Sequence, residues 1–208
     1  MTDLATLSAA IEAGDRVTAA RVTSEAVAEG QDPKTVLDAM VAAMDVIGAK
    51  FQCNEIFVPE MLISARAMKE ATAVLEPVLA AAGVRPEYTA VIGTIQGDLH
   101  DIGKNLVGMM WRGANIEVVD LGVNVSPDAF VAAVKQYGAS LVGISALLTT
   151  TMVGIKDAVE AVHAAAPGVK VVVGGAPVTP EYATQIGADG HATDAGAAVE
   201  LARRLLAQ

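Results

Sequence analysis

From residue 88 onward, strand-like apolar runs recur at 88–95, 115–121, 140–146 and 169–173, with a weaker one near 189–192. Helix-like stretches fall near 103–112, 127–138, 150–166 and 179–187, and a last helix is predicted over 194–207. Strands joined through helices run parallel, so this alternation predicts an α/β, flavodoxin-like (Rossmann-like), doubly wound sheet with helices on both faces. The first 83 residues follow a different pattern. Segments 2–14, 15–30, 32–51 and 58–83 each space apolar residues three and four apart, and the first two stop at Gly14 and Gly30. Asp32-Pro33 suits a helix start, and Pro77 predicts a break or kink in the fourth segment. Short links favour an antiparallel helical bundle. The expected organisation is therefore a helical-bundle domain over 1–85 and a sheet domain over 86–208.

Composition narrows the function. Acidic residues outnumber basic ones 24 to 14, for a net charge of −10. That excludes a phosphate-tracking nucleic-acid surface and suits a protein partner with basic patches. Cys53 is the only cysteine, so neither an intrachain disulfide nor a cysteine-based zinc cluster is available, and a buried structural thiol is expected. The opening residues have no basic stretch followed by an apolar one, so no secretory leader is expected. The uncharged run 136–155 is long enough to imitate a membrane span. Gly138, Gly143 and Thr149 to Thr151 interrupt it, and it divides into strand, turn and helix. A cytoplasmic protein with no membrane association is expected.

Residues 97–105, GDLHDIGKN, form the first strand-to-helix turn of the sheet domain, the place where ligands bind in open α/β folds. Two phosphate motifs fail there. A P-loop needs four residues between its glycines and Ser or Thr after the lysine, whereas five separate Gly97 from Gly103 and Asn105 follows Lys104. The dinucleotide fingerprint is broken at Leu99. What remains is Asp98-x-His100. A carboxylate two residues from a histidine can accept the Nδ1 proton, which leaves Nε2 free as a base or a metal ligand. The next turns on the same sheet edge present Ser145, Leu147 and Thr149, then Gly174-Gly175. The hydroxyls offer hydrogen bonds and the paired glycines allow close approach of a bulky ligand.

Asp98-x-His100-x-x-Gly103, 41 residues, Ser145-x-Leu147, 26 residues and Gly174-Gly175 together resemble the cobalamin-binding motif of methionine synthase, B12-dependent mutases and the corrinoid proteins of methyltransferase systems. The preceding helices are similar to the cap domain of the methyltransferase branch, with FVPEMLISARAMKEATAVLEP like its last cap helix. The resemblance implies cobalamin, or methylcobalamin, bound base-off/His-on, with His100 as the protein ligand to cobalt. Asp98 would partner His100, Ser145 would continue the relay, and both would tune the chemistry. Gly97, Leu99, Asp101, Ile102 and Gly103 belong to the loop that carries the ligand. The nucleotide tail would lie against Ser145, Leu147, Thr149, Gly174, Gly175 and Ala195. Phe51, Phe57, Val58 and Met61 are the cap residues implied to face the corrin, whereas Met40, Met44, Met68, Met109 and Met110 suit packing. His163 fits a surface or hydrogen-bonded residue, and His191 stands where relatives often carry Tyr.

The function implied is that of a methyl carrier, a non-autonomous component of a methyltransferase system. Its implied partners are a substrate-specific methyltransferase, an acceptor methyltransferase acting on tetrahydrofolate or coenzyme M, and a reductive activating protein. A B12-dependent sensor or regulator is an alternative. Light-sensing relatives, however, carry a tryptophan and a Glu-His pair in the cap, whereas Trp111 lies in the second domain and no histidine precedes His100. A mutase cobalamin-binding subunit is a further alternative, but those usually lack the helical cap.

Overall fold

The computed structural model of the chain describes residues 2–207, so residues 1 and 208 of the two expected domains lie outside the described residues. It divides into two compact units. One comprises residues up to Pro86 together with Gly113–Asn115, and the other Glu87–Arg112 and the residues from Ile116 on.

The first unit holds α1 (Leu4–Glu12), α2 (Arg16–Ala28), α3 (Pro33–Gln52) and α4 (Val58–Ala81). Three aspartates start the first three helices. Asp3 accepts the Ala5 N–H, Asp15 the N–H groups of Val17 and Thr18, and Asp32 the N–H of Thr35. α1 packs along α3 and α2 along α4. Leu7, Ile11, Val22, Met40, Met44 and Leu75 are fully buried. Met68 is also buried, as expected for a packing residue.

Two sequence expectations change here. α4 is not broken at Pro77 but continues through it as one element of 24 residues. The ring removes one N–H, yet buried Leu75 and Leu79 on either side hold the last turn to the unit. Cys53 is exposed rather than buried. It occupies the C-cap of α3 and is followed by left-handed Asn54 at φ 59°.

The second unit is built on β1 (Thr89–Thr94), β2 (Glu117–Asp120), β3 (Leu141–Ser145), β4 (Lys170–Gly174) and β5 (Gly190–His191). Helices α5 (Ile102–Gly113), α6 (Pro127–Tyr137), α7 (Met152–Ala165), α8 (Pro180–Gln185) and α9 (Ala195–Leu206) connect and follow the strands. All strands pair in parallel, in the order β2-β1-β3-β4-β5. The period-two alternation divides each strand between two faces. Val91, Val142, Ile144, Val171 and Val173 join Phe130, Val134, Ile155, Val159 and Val162 in one core. On the other face Gly143 leaves room for Trp111, because a Cβ at Gly143 would lie 2.8 Å from the indole ring. The Trp111 Nε1–H donates to the Ala198 carbonyl at 3.0 Å, which ties α5 to α9.

The strand order reverses between β1 and β3, so the loops that follow these two strands open side by side at one sheet edge. Among the described residues, no helix is long and apolar enough to cross a membrane.

Candidate functional site

β1 ends at Thr94, and the chain turns through Gly97 at φ 86°, a left-handed conformation that suits glycine. The turn directs Asp98 inward, with its carboxylate fully buried. Oδ1 accepts the His100 backbone N–H at 3.1 Å and faces His100 Nδ1 at 2.7 Å. Oδ2 accepts the N–H groups of Leu147 (2.7 Å) and Leu148 (3.1 Å) and the Thr151 hydroxyl (3.0 Å). Burial alone would push this carboxyl up. The Leu147 N–H, the ring and backbone of His100 and the Leu148 N–H outweigh it and hold the group well below the usual carboxylate range.

An ionised Asp98 can only accept, so Nδ1 of His100 is the donor in this contact, and in the neutral ring the lone pair lies on Nε2. The His100 side chain is 52% exposed, and its hydrogen bond is through Nδ1. Among the described residues Nε2 has no partner. Leu99, Leu147 and Leu148, in the two loops that meet at Asp98, are exposed apolar side chains, as are Ile102 at the start of α5 and Val153 in the first turn of α7. The loop backbone is fixed as well. The Thr94 hydroxyl donates to the His100 carbonyl at 2.9 Å, and Asn105 donates to Asp101 through both its backbone and its side-chain N–H.

The other predicted residues are placed as follows. Ser145 closes β3 in register with Thr94 and Gly174, and its carbonyl accepts the Ile95 N–H at 2.9 Å. Its hydroxyl is not among the donors to the Asp98 carboxylate; the hydroxyl there belongs to Thr151. Gly103 and Thr149 are exposed. Gly175 has φ 125°, and a Cβ on it would lie 1.8 Å from the Ala146 carbonyl oxygen, so that turn tolerates only glycine. A Cβ on Gly174 would meet the Ala192 oxygen at an ordinary 3.4 Å. Ala195 begins α9 behind the Asp194 cap. In the helical unit Met61 is fully buried, Phe51 and Val58 are half-buried, and Phe57 is exposed. Met110 is buried and Met109 half-buried. His163 is satisfied by Asp189 at 2.9 Å, and His191 pairs with Val173 across β4 and β5.

Three residues not expected from sequence complete the loop. Thr151 is one; the run of three threonines at 149–151 is its only trace in the sequence. Asn124, in the loop after β2, accepts the Gly97 N–H through Oδ1 at 2.8 Å and donates its backbone N–H to the Asp98 carbonyl at 3.1 Å. Lys104 is buried, its Nζ held by the two oxygens of Asp120 at 2.7 and 2.6 Å, which joins the start of α5 to the end of β2.

A bare metal ion does not fit this donor set. Among the described residues no group of three or more His, Cys, Asp or Glu side chains could hold one. A single oriented imidazole beside exposed apolar side chains fits a metal that brings its remaining ligands in a macrocycle.

Residues 88–200 match the B12 binding domain family, and residues 4–76 match a second B12 binding domain family. A corrinoid protein of Desulfitobacterium hafniense is 40% identical over 206 residues, covering 96% of this chain and 95% of the relative. Trimethylamine corrinoid protein 2 of Methanosarcina mazei is 40% identical over 190 residues, or 89% and 87% of the two chains. Among solved structures, the methanol:cobalamin methyltransferase complex MtaBC of Methanosarcina barkeri is similar at a TM-score of 0.88 and 27% identity, over 98% of this chain and 79% of that one. A cobalamin-binding protein of Desulfitobacterium hafniense matches at 0.83 and 27% identity over 99% of both chains. With both parts of its sequence matched and relatives 40% identical over nearly its full length, this chain belongs to the B12-binding corrinoid proteins.

Proposed function

We infer that the protein is a methyl carrier that takes a methyl group from a substrate-specific methyltransferase and delivers it to an acceptor methyltransferase. One observation carries the site assignment: the buried Asp98 carboxylate lies 2.7 Å from His100 Nδ1, orients the ring and leaves Nε2 without a partner among the described residues. Cobalamin, when bound, supplies a cobalt ion that accepts and releases the methyl group. His100 would hold that cobalt through Nε2 in the base-off/His-on state, and Asp98 would keep the ring oriented and strengthen it as a donor. Leu99, Ile102 and Leu147 offer apolar contact to a corrin. Gly97, Asp101 and Gly103 shape the loop, while Ser145, Thr149, Gly174, Gly175 and Ala195 are the candidates for the nucleotide tail. The helical domain, 1–85, is assigned the role of a cap, with Phe51, Phe57, Val58 and Met61 as its cofactor-facing candidates. Relatives named for trimethylamine and a neighbour in a methanol:cobalamin methyltransferase complex support a methyltransferase as partner. A reductive activating protein completes the proposed system.

The test is reconstitution with cobalamin, expected to give one cofactor per chain, followed by EPR of the Co(II) form. Labelling the protein's histidines with nitrogen-15 should alter the nitrogen coupling at cobalt, and His100→Ala should abolish the histidine contribution. A spectrum unchanged in His100→Ala would mean that the cofactor's own base is the ligand. The isolated holoprotein should demethylate no substrate until a methyltransferase is added.

A further inference from the structure

Among the described residues, Asn124 is one of three non-glycine residues with a left-handed backbone, at φ 57°. It lies in the loop between β2 and α6, outside the loop that carries His100. Ordinary residues are strained in this conformation, and asparagine is among the few that tolerate it. Glycine would adopt it more easily, so backbone conformation alone does not account for an asparagine here.

The side chain does. Gly97 N–H can only donate, so the Asn124 oxygen faces it, at 2.8 Å. The backbone N–H of Asn124 donates in turn to the Asp98 carbonyl at 3.1 Å. Asn124 thus brackets residues 97 and 98 from the β2 side. Leu147, Leu148 and Thr151 hold the Asp98 carboxylate from the β3 side, and Thr94 holds the His100 carbonyl. Gly97, at φ 86°, is the most permissive link in the loop, and Asn124 is the side chain that fastens it. This hydrogen bond lies at an exposed position, so water can replace it with little cost in stability. Water cannot reproduce the restraint on where the loop sits.

Building on the site assignment above, we propose that Asn124 is a positioning residue for the His100 imidazole: by fastening Gly97 it sets the place of His100 Nε2. Asn124→Gly keeps the left-handed turn and the backbone bond to Asp98 but removes the acceptor. Asn124→Asp keeps the turn and the acceptor.

Wild type, Asn124→Gly and Asn124→Asp, each with nitrogen-15 histidine, are compared as apo proteins by thermal melting and as cobalamin complexes by Co(II) EPR and cofactor titration. The expected result is similar melting for all three. Asn124→Gly should bind cobalamin about tenfold more weakly and lose at least half of the histidine-coupled signal, and Asn124→Asp should retain both. Wild-type affinity and coupling in Asn124→Gly would overturn the proposal, as would an equal loss in Asn124→Asp. Early melting of Asn124→Gly would also overturn it, by making Asn124 a fold former. If wild type itself shows no histidine coupling, the axial assignment of His100 fails first and the proposal fails with it.

Discussion

The Thr151 hydroxyl lies 3.0 Å from Asp98 Oδ2, across 53 positions of sequence. Thr151 occupies the N-cap of α7, yet its side chain caps no N–H of that helix. It reaches Asp98 and the Leu148 carbonyl instead. A threonine at a helix start ordinarily satisfies its own helix, so this hydroxyl has been given to the carboxylate behind His100. Thr151→Val should therefore cost about 2 kcal/mol, the scale of a hydrogen bond to a charged group, as measured by urea denaturation. It should also leave more of the Asp98 charge for the imidazole. A stronger imidazole donor would favour Co(II) over Co(I), so the midpoint potential of the holoprotein should fall, by ~59 mV for each tenfold change in that preference. Thr151→Ser should match wild type in both measurements. Equal potentials in the valine and serine variants would reduce Thr151 to a turn residue.

Asp98→Asn tests the carboxylate itself. The amide nitrogen must face one of two sets of donors. On the Oδ2 side are two backbone N–H groups, which cannot become acceptors; on the Oδ1 side one of the two partners is the ring nitrogen Nδ1, which can. The amide nitrogen should therefore turn toward His100, so that Nδ1 accepts and the proton moves to Nε2, the atom assigned to cobalt. Cobalamin should still bind, with its affinity or methyl-transfer rate about 10–100-fold lower. Histidine coupling in the EPR spectrum should weaken, and the Co(II)/Co(I) midpoint should rise. An unaltered potential and transfer rate would leave Asp98 as a turn former.

The same carboxylate predicts a pH dependence of folding. Its value in the folded protein is depressed below the ordinary ~3.9, so the stability it contributes is fully present above that value. That stability is lost as pH falls through the folded-state value. Wild type minus Asp98→Asn, measured as unfolding free energy of the apo proteins, should be constant above about pH 5 and shrink below about pH 4. A difference that shrinks only near neutral pH would contradict the assignment of an ionised Asp98.

Much of this was legible from local spacing. Asp98 and His100 are two residues apart, and the ring-to-carboxylate contact forms within one turn. The strand order places their loop beside Ser145, as the alternation of elements predicts. Thr151 and Asn124 were not legible, because each depends on how a separate loop folds back onto Asp98. A left-handed asparagine carries no pattern beyond its own letter. Cys53 illustrates the opposite error. Cysteines are buried as a class, but a helix C-cap leading into a left-handed turn leaves this one at the surface. At Pro77 the helix is not broken, since a general helix breaker is accommodated where buried leucines flank it.

Lys104 and Asp120 should respond unequally to removal of the partner. The Lys104 side chain is 2% exposed and that of Asp120 is 32% exposed. Asp120→Asn leaves a buried ammonium without a counter-charge and should cost about 3 kcal/mol. Lys104→Met fills the same space with an apolar chain. It leaves a partly exposed carboxylate that still accepts the Gly122 N–H at 2.8 Å, so its cost should be about 1 kcal/mol or less. Urea denaturation of the two apo variants checks the order. Equal losses would mean that the pair acts as a surface contact.

Gly174 and Gly175 look alike in sequence and should separate cleanly in experiment. An alanine at 175 would place its Cβ 1.8 Å from the Ala146 carbonyl oxygen, at φ 125°, a conformation essentially restricted to glycine. The Ala146 N–H donates to the Gly174 carbonyl at 3.1 Å, which ties the strand end to the turn. Gly175→Ala should therefore destabilise the apo protein by about 3 kcal/mol or more, or prevent its folding. Gly174 has ordinary space for a Cβ, with the nearest atom 3.4 Å away, and no left-handed backbone. Gly174→Ala should leave apo stability within about 0.5 kcal/mol of wild type. If the nucleotide tail of cobalamin passes over this strand end, the added methyl group occupies space the tail needs. Cofactor titration should then show weaker binding by a protein that melts normally. Normal melting with unchanged cobalamin affinity in Gly174→Ala would remove Gly174 from the binding surface and leave the glycine pair as a turn alone.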